Sequence, residues 1–258
     1  MNRQFIRIRN LSFSYGKNEV IRDLNLDIME GGITTLIGSN GCGKSTLFHL
    51  MTRNLGRKHG SISLLGKEIE DYKLKEFAQT AAIVHQYNTA PDDITVERLV
   101  SYGRIPYHTF GKSQTKTDEE LIERAMKITG VYSYKDAYIN ELSGGQRQRV
   151  FIAMAIAQNT KIRFLDEPTT YLDIRYQLEI LNLIRDLNRK HGITILMVLH
   201  DINQACSFSD QIIALNQQGQ VAAQGAPEEI LNSDLFKKIY GISLDVTEYQ
   251  GKKIVITA

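Results

Sequence analysis

Hydrophobic and polar residues alternate along the first thirty positions: Phe5, Ile6, Ile8, Leu11 and Phe13, then Leu24, Leu26 and Ile28, keep a rough period of two. That period puts one set of side chains on one face of a strand, so the pattern predicts a small antiparallel layer. The run TTLIG at 34–38 is apolar without alternation and predicts a buried strand. Beyond a glycine-rich turn, TLFHLM at 46–51 brings Leu47, Leu50 and Met51 to one face of a helix. From about Leu74 to Gly130 the pattern is helical, in LKEFAQ, TVERLVSY and EELIERAMKITG, interrupted near Pro91 and by a polar linker at 111–117. A helical lobe is therefore expected in the middle of the chain. IRFLD at 162–166 and TILMVLH at 194–200 are β-rich runs separated by the helical QLEILNLIRDLNRK, which predicts parallel strands in a βαβ arrangement. QIIALN and QVAAQG predict two more strands, and a helical tail is expected from about Pro227 to Tyr240. The fold class is α/β: a mixed sheet with helices, an antiparallel β layer and an inserted helical subdomain.

Composition narrows the functional classes. A chain of 258 residues, 42% hydrophobic and 23% charged, can bury a sizeable core. Its formal charge of +2 supplies no broad field for nucleic acid, so no nucleic-acid partner is expected. Cys42 and Cys206 form no CxxC pair, and a reduced cytosolic setting fits. The N-terminus lacks the unbroken apolar run of a signal peptide, and the most apolar stretch, at 193–199, is too short to span a bilayer. If the protein works at a membrane, another chain must cross it.

The sharpest motif is Gly38-Ser39-Asn40-Gly41-Cys42-Gly43-Lys44-Ser45, followed by Thr46, a match to GxxxxGK(S/T) between an apolar strand and a helix. Glycines let the backbone curl its N–H groups inward, and the helix N-terminus favours phosphate. In this motif Lys44 reaches the β- and γ-phosphates of a nucleotide and Ser45 holds Mg²⁺. Cys42, beside a helix N-terminus and Lys44, is expected either to ionise readily or to be an inert small residue. A carboxylate must complete the metal site, and Asp166, at the end of IRFLD, is the candidate, with Glu167 next to it.

Leu142-Ser143-Gly144-Gly145-Gln146 precedes a helix-like run. Ser143 can cap that helix while Gly144 and Gly145 admit a close anion, making a second phosphate-binding terminus. A plain cap would explain the serine and leave the glycines without a role. With this signature the chain resembles the ATP-binding cassette proteins, over essentially its whole length. The resemblance implies a P-loop NTPase core at 1–86 and 159–258, with a helical subdomain at 87–158, and Mg-ATP as the bound nucleotide. It further implies that Tyr15 stacks on adenine, that Gln86 senses the metal, that Asp173 belongs to the D-loop, and that His200 contacts the γ-phosphate. Glu167 is then the general base, with Lys44, Mg²⁺ and His200 stabilising the transferred phosphoryl group. Ser39 stands where many relatives have proline.

TVERLVSYGRIPY, EPTTYLDI and HDINQA resemble the phrasing of ATPases from bacterial importers of iron-siderophore, haem or cobalamin complexes, ferric siderophore being the largest group sharing it. That resemblance implies a head-to-tail dimer of two copies sandwiching ATP. It also implies two transmembrane permease subunits, an extracytoplasmic binding protein, and a peripheral place on the cytoplasmic face of the membrane. The alternative is a cytosolic ATPase of this family acting in cofactor assembly or with nucleic acid; the absence of a second cassette, a basic linker and a heptad insertion disfavours the nucleic-acid branch.

Overall fold

The computed structural model describes residues 4–108, 114–249 and 251–256, and these fall into two compact units, one of residues 1–72 and 190–258 and the other of residues 73–189. The first unit opens with β1 (Gln4–Tyr15) and β2 (Asn18–Met29), paired antiparallel so that Ile6 faces Ile28, Ile8 faces Leu26 and Leu11 faces Leu24. These are the side chains of the two-residue period, and all are buried. After β3 (Ile33–Gly38) and α1 (Lys44–Met51), β4 (His59–Leu64) and β5 (Lys67–Glu68) extend the layer to the order β2-β1-β4-β5.

The second unit begins with α2 (Leu74–Thr80), β6 (Ala81–Val84) and α3 (Val96–Ser101). Here the expectation of a continuous helical pattern is corrected: AAIV at 81–84 is a strand, too short for its period to distinguish strand from helix. Next come α4 (Lys116–Thr129), α5 (Gly144–Ala157), β7 (Ile162–Asp166) and α6 (Ile174–His191), whose C-terminal end runs into the first unit. β6 and β7 are parallel, with Val84 opposite Leu165. Of the expected polar linker, residues 111–113 lie outside the described residues. A buried Arg104 ties the helices together, its Nε donating to Asp118 Oδ1 at 2.8 Å and its Nη1 to the Ala157 carbonyl at 2.9 Å. Burial opposes ionisation of Asp118, but the Thr115 backbone N–H and Arg104 overcome it and hold this carboxyl well below the usual range.

The chain then returns to the first unit with β8 (Thr194–Val198), α7 (Ile202–Phe208), β9 (Gln211–Leu215) and β10 (Val221–Gly225). In the order β10-β9-β3-β8, β3 runs parallel to both neighbours and β10 antiparallel to β9. A strand flanked on both sides and covered on both faces has no solvent face, which is why TTLIG does not alternate. The helical tail is two pieces, α8 (Pro227–Ile230) and α9 (Ser233–Tyr240), with the Asn232 side chain capping the second. A hairpin of β11 (Asp245–Tyr249) and β12 (Lys252–Ile256), which the hydrophobic pattern does not announce, closes the fold. No helix of the described residues is long and apolar enough to cross a membrane.

Candidate active site

In the first unit the phosphate loop leaves the end of β3 and enters α1 through Gly43, whose φ of 101° lies in the left-handed region. Gly38 begins the loop under tighter restriction: a Cβ there would meet Cys42 Sγ and the Leu215 carbonyl oxygen, each at 2.7 Å. α1 has no side-chain cap and no acidic residue in its first turn, so its N–H groups keep their attraction for an anion. Lys44 is 5% exposed, and its ammonium donates to the Gly38 and Ser39 carbonyls at 2.9 Å each, folded across the loop that it would share with phosphate. The Ser39 hydroxyl is buried with no hydrogen-bond partner among the described residues. An uncapped helix terminus, a cation and an unsatisfied hydroxyl fit a polyphosphate. Ser45 is exposed, Thr46 is buried, and Asn40 and Gly41 lie at the exposed tip of the loop.

At Cys42 the packing separates the two expected readings. The residue is 1% exposed, and burial raises its pKa above the model-compound value of 9.0 despite the opposing charge of Lys44. The inert small-residue reading is the one the packing supports. Tyr15 ends β1 half exposed, its ring edge-on to Phe13 at 4.9 Å, an open aromatic face suited to a base. His200 is exposed just past β8; the Leu199 N–H donates to the Leu36 carbonyl at 3.3 Å, so His200 stands at the strand end adjoining the start of the phosphate loop.

The second unit gathers another set. Asp166 ends β7 and is buried. Glu167 follows with φ 48°, a conformation uncommon for a residue with a side chain, and is 7% exposed. Because β6 and β7 are in parallel register, Gln86 arrives beside it, and its amide donates to Glu167 Oε2 at 2.5 Å. Thr170 Oγ1 donates to the same oxygen at 3.0 Å. Sequence reasoning missed Thr170, and also Tyr87 and Tyr171, whose exposed hydroxyls meet at 2.8 Å. Thr170 and Tyr171 lie within the TTYLD phrase, and Tyr87 adjoins Gln86, but no spacing rule singles them out.

The signature segment forms a reciprocal cap. Ser143 Oγ accepts from the Gln146 N–H at 3.3 Å while Gln146 Oε1 accepts from the Ser143 N–H at 2.9 Å. Gly145 has a packing role, since a Cβ there would lie 2.8 Å from the Tyr176 ring; Gly144 meets nothing closer than 3.8 Å and leaves the helix end open. Asp173 Oδ1 accepts from the Tyr176 N–H at 3.1 Å and so caps α6. Among the described residues no group of three or more His, Cys, Asp or Glu gathers as a self-contained metal site.

The family model described as ABC transporter matches residues 21–170. The chain is 45% identical to the ferric enterobactin transport ATP-binding protein of Escherichia coli over 92% of this chain and 87% of that protein. It is 46% identical to the iron(3+)-hydroxamate import ATP-binding protein of Bacillus subtilis, again over 92% and 87%. Among solved structures, a transporter described as of the metal-chelate ABC type, in an inward-facing conformation, superposes with a TM-score of 0.85 at 26% identity, covering 98% of this chain and 97% of that one. A dimeric bacterial ABC transporter cassette superposes with a TM-score of 0.73 at 27% identity, covering 86% and 98%. Motif, fold and relatives converge: the chain belongs to the ABC transporter family, as one of its ATP-binding, ATP-hydrolysing members.

Proposed function

We propose that this chain is the ATPase of an importer for an iron complex, most closely a ferric siderophore, and that it acts as a peripheral subunit on the cytoplasmic face of the membrane. The observation that carries the ATPase reading is the phosphate loop, with its uncapped helix end, folded-back Lys44 and unsatisfied Ser39 hydroxyl. The names of the relatives support the cargo class. Because two relatives of nearly equal similarity are named for different iron complexes, the cargo is selected elsewhere in the assembly.

Bound Mg-ATP supplies the scissile phosphoanhydride and a cation that neutralises its phosphates. In our assignment Tyr15 holds the base and residues Gly38 to Thr46 cradle the phosphates, with Lys44 as their counter-charge. Ser45, Asp166 and Gln86 would hold the metal, which would supply positive charge to the phosphates. Glu167 takes the proton of the attacking water, oriented by the amide of Gln86 and the hydroxyl of Thr170, and His200 donates to the transferred phosphoryl group. Residues Ser143 to Gln146 and Asp173 act on a nucleotide bound by a second copy, in a head-to-tail dimer served by two permease subunits and an extracytoplasmic binding protein. We also assign residues 87–158 as the helical subdomain and 1–86 with 159–258 as the core, because no strand is found among the described residues of 87–158.

The test is complementation. In cells lacking this chain and redundant importers, the wild type should restore uptake of a labelled ferric siderophore. Glu167→Gln should not, although the purified variant still binds ATP, because its turnover falls by at least about a hundredfold. Restored uptake of haem or cobalamin instead would reassign the cargo; restoration of none would defeat the importer reading, and wild-type turnover in the variant would remove Glu167 from its role.

A further inference from the structure

Two glycines approach the carbonyl of Val20, near the start of β2: Gly219 so closely that it has no room for a side chain, and Gly43 tightly, beside the Ile21 side chain. A Cβ on Gly219, in the turn between β9 and β10, would stand 1.8 Å from the Val20 oxygen and 2.7 Å from its carbonyl carbon. A Cβ on Gly43, where the phosphate loop enters α1, would stand 3.1 Å from the same oxygen and 2.8 Å from Ile21 Cδ1. The contact thus runs from turn backbone directly onto one peptide of β2, and from that peptide and the buried Ile21 side chain onto the entry of the phosphate loop, in a packed interior that transmits displacement.

The turn is well braced. Asn216 Oδ1 accepts from the N–H groups of Gln218 and Gln220 at 3.0 Å each, and the Gly219 N–H donates to the Asn216 carbonyl at 3.1 Å. It is also fastened to β2 by the Arg22 N–H, which donates to the Gly219 carbonyl at 3.5 Å, and the β10 strand that follows it is tied to β2 by the Gln224 amide, which donates to the Asp27 carbonyl at 2.5 Å. Tyr15, at the end of β1, pairs with Asn18 across the hairpin that leads into Val20, so the strand that packs against the phosphate loop starts opposite the aromatic assigned to the base.

We infer that the turn at 216–220 is a positioning element for the nucleotide site. Acting through Val20, it fixes Gly43 and with it the first N–H groups of α1. Gly219 and Asn216 are its positioning residues; neither touches nucleotide. The inference rests on the assignment of residues Gly38 to Thr46 as the phosphate cradle.

The experiment titrates the full-length chain with a fluorescent ATP derivative in the presence of Mg²⁺, below the melting temperature of every variant. Gly219→Ala should raise Kd by about tenfold or more, the scale expected when a binding group is displaced by a fraction of an ångström. Turnover at saturating ATP should fall less than affinity does. Gly192→Ala is the control: its φ of +63° matches the +71° of Gly219, but nothing lies within 4 Å of its added methyl, so it shares the backbone strain and should bind as the wild type does. Asn216→Ala removes two acceptor bonds without adding an atom and should raise Kd about threefold, so it decides the matter alone if Gly219→Ala does not fold. Lys44→Ala separates the two levels. If it binds like the wild type, the cradle assignment fails and the inference with it; if it loses binding while the folded turn variants keep wild-type Kd, the inference alone is overturned.

Discussion

Glu167 stands with φ 48° at the end of a buried strand, and strain of this kind, about 1–3 kcal/mol, persists where the surroundings over-determine it. Gln86 and Thr170 do so here by fixing the carboxylate, beside an Asp166 that is itself buried at the strand end. The same logic of environment over identity governs the cysteines. Burial pushes the Cys206 thiol from 9.0 up to about 12 and, with Cys42 nearby, the Tyr240 phenol from 10.0 up to about 12, while Cys42 is raised above 9.0 against the pull of Lys44. Each folded-state pKa exceeds its unfolded value, so the folded chain keeps protons that the unfolded chain releases. The stability these groups contribute is fully present below about pH 9 and is lost as pH climbs through the window from 9 towards 12. The melting temperature should therefore decline progressively above pH 9, and Cys206→Ala should flatten that decline by removing one of the shifted groups. An equally steep decline in the variant would show that other groups control alkaline stability.

The elements best announced by the sequence are those whose side chains divide cleanly between core and solvent. β1 and β2 were legible because Ile6, Ile8, Leu11, Leu24, Leu26 and Ile28 form one buried face, and β3 because it has no solvent face at all. The phosphate loop and signature were legible because backbone geometry demands glycine, and helix capping a hydroxyl, at fixed spacings. Other features depend on contacts distant in sequence and left no local period: β6 hides among helices, Gly145 answers to Tyr176 and Gly219 to Val20. The β11–β12 hairpin is the clearest case. Its residues are largely exposed, and a two-stranded hairpin alone is marginal in water. What holds it is Asn203 on α7, whose side chain imitates a neighbouring strand: Nδ2 donates to the Val255 carbonyl at 3.1 Å and Oδ1 accepts from the Val255 N–H at 2.8 Å. Lys253 adds a bond to the Leu231 carbonyl at 2.6 Å. Asn203→Leu should keep the volume and lose both bonds, costing roughly 1–3 kcal/mol locally. Amide exchange at Val255 should then accelerate by about tenfold or more while exchange in β3 stays unchanged. Unchanged protection at Val255 would mean that Val255 burial, and not the amide clamp, secures the hairpin.

At the scale of the whole molecule, one cassette offers two helix termini to phosphate: α1 behind the Gly38–Ser45 loop, and α5 behind Ser143, whose Gly144 leaves an open approach. In our proposed dimer a single nucleotide is sandwiched by one terminus from each of two chains, and a structurally similar cassette is a dimer. Our head-to-tail proposal makes a prediction that sites contained in single chains reverse. Lys44→Ala disables a phosphate loop and Ser143→Arg obstructs a signature, and differently tagged copies can be assembled with their membrane partners in chosen combinations. When each chain of a mixed dimer carries one defect, the intact loop of one chain faces the intact signature of the other, and one site survives. When both defects sit on one chain with a wild-type partner, each site has one damaged half and neither survives. Self-contained sites would give the opposite: the wild-type partner would retain its own, and the split-defect dimer would have none. Occluded ATP should be measured alongside turnover, because two sites that hydrolyse only in concert would silence turnover in both assemblies while the surviving site still traps nucleotide. The split-defect dimer should hold about one ATP per dimer and the same-chain double mutant essentially none. Retention of occluded ATP by the same-chain double mutant instead would overturn the shared-site dimer and leave Lys44 and Ser143 acting within one chain.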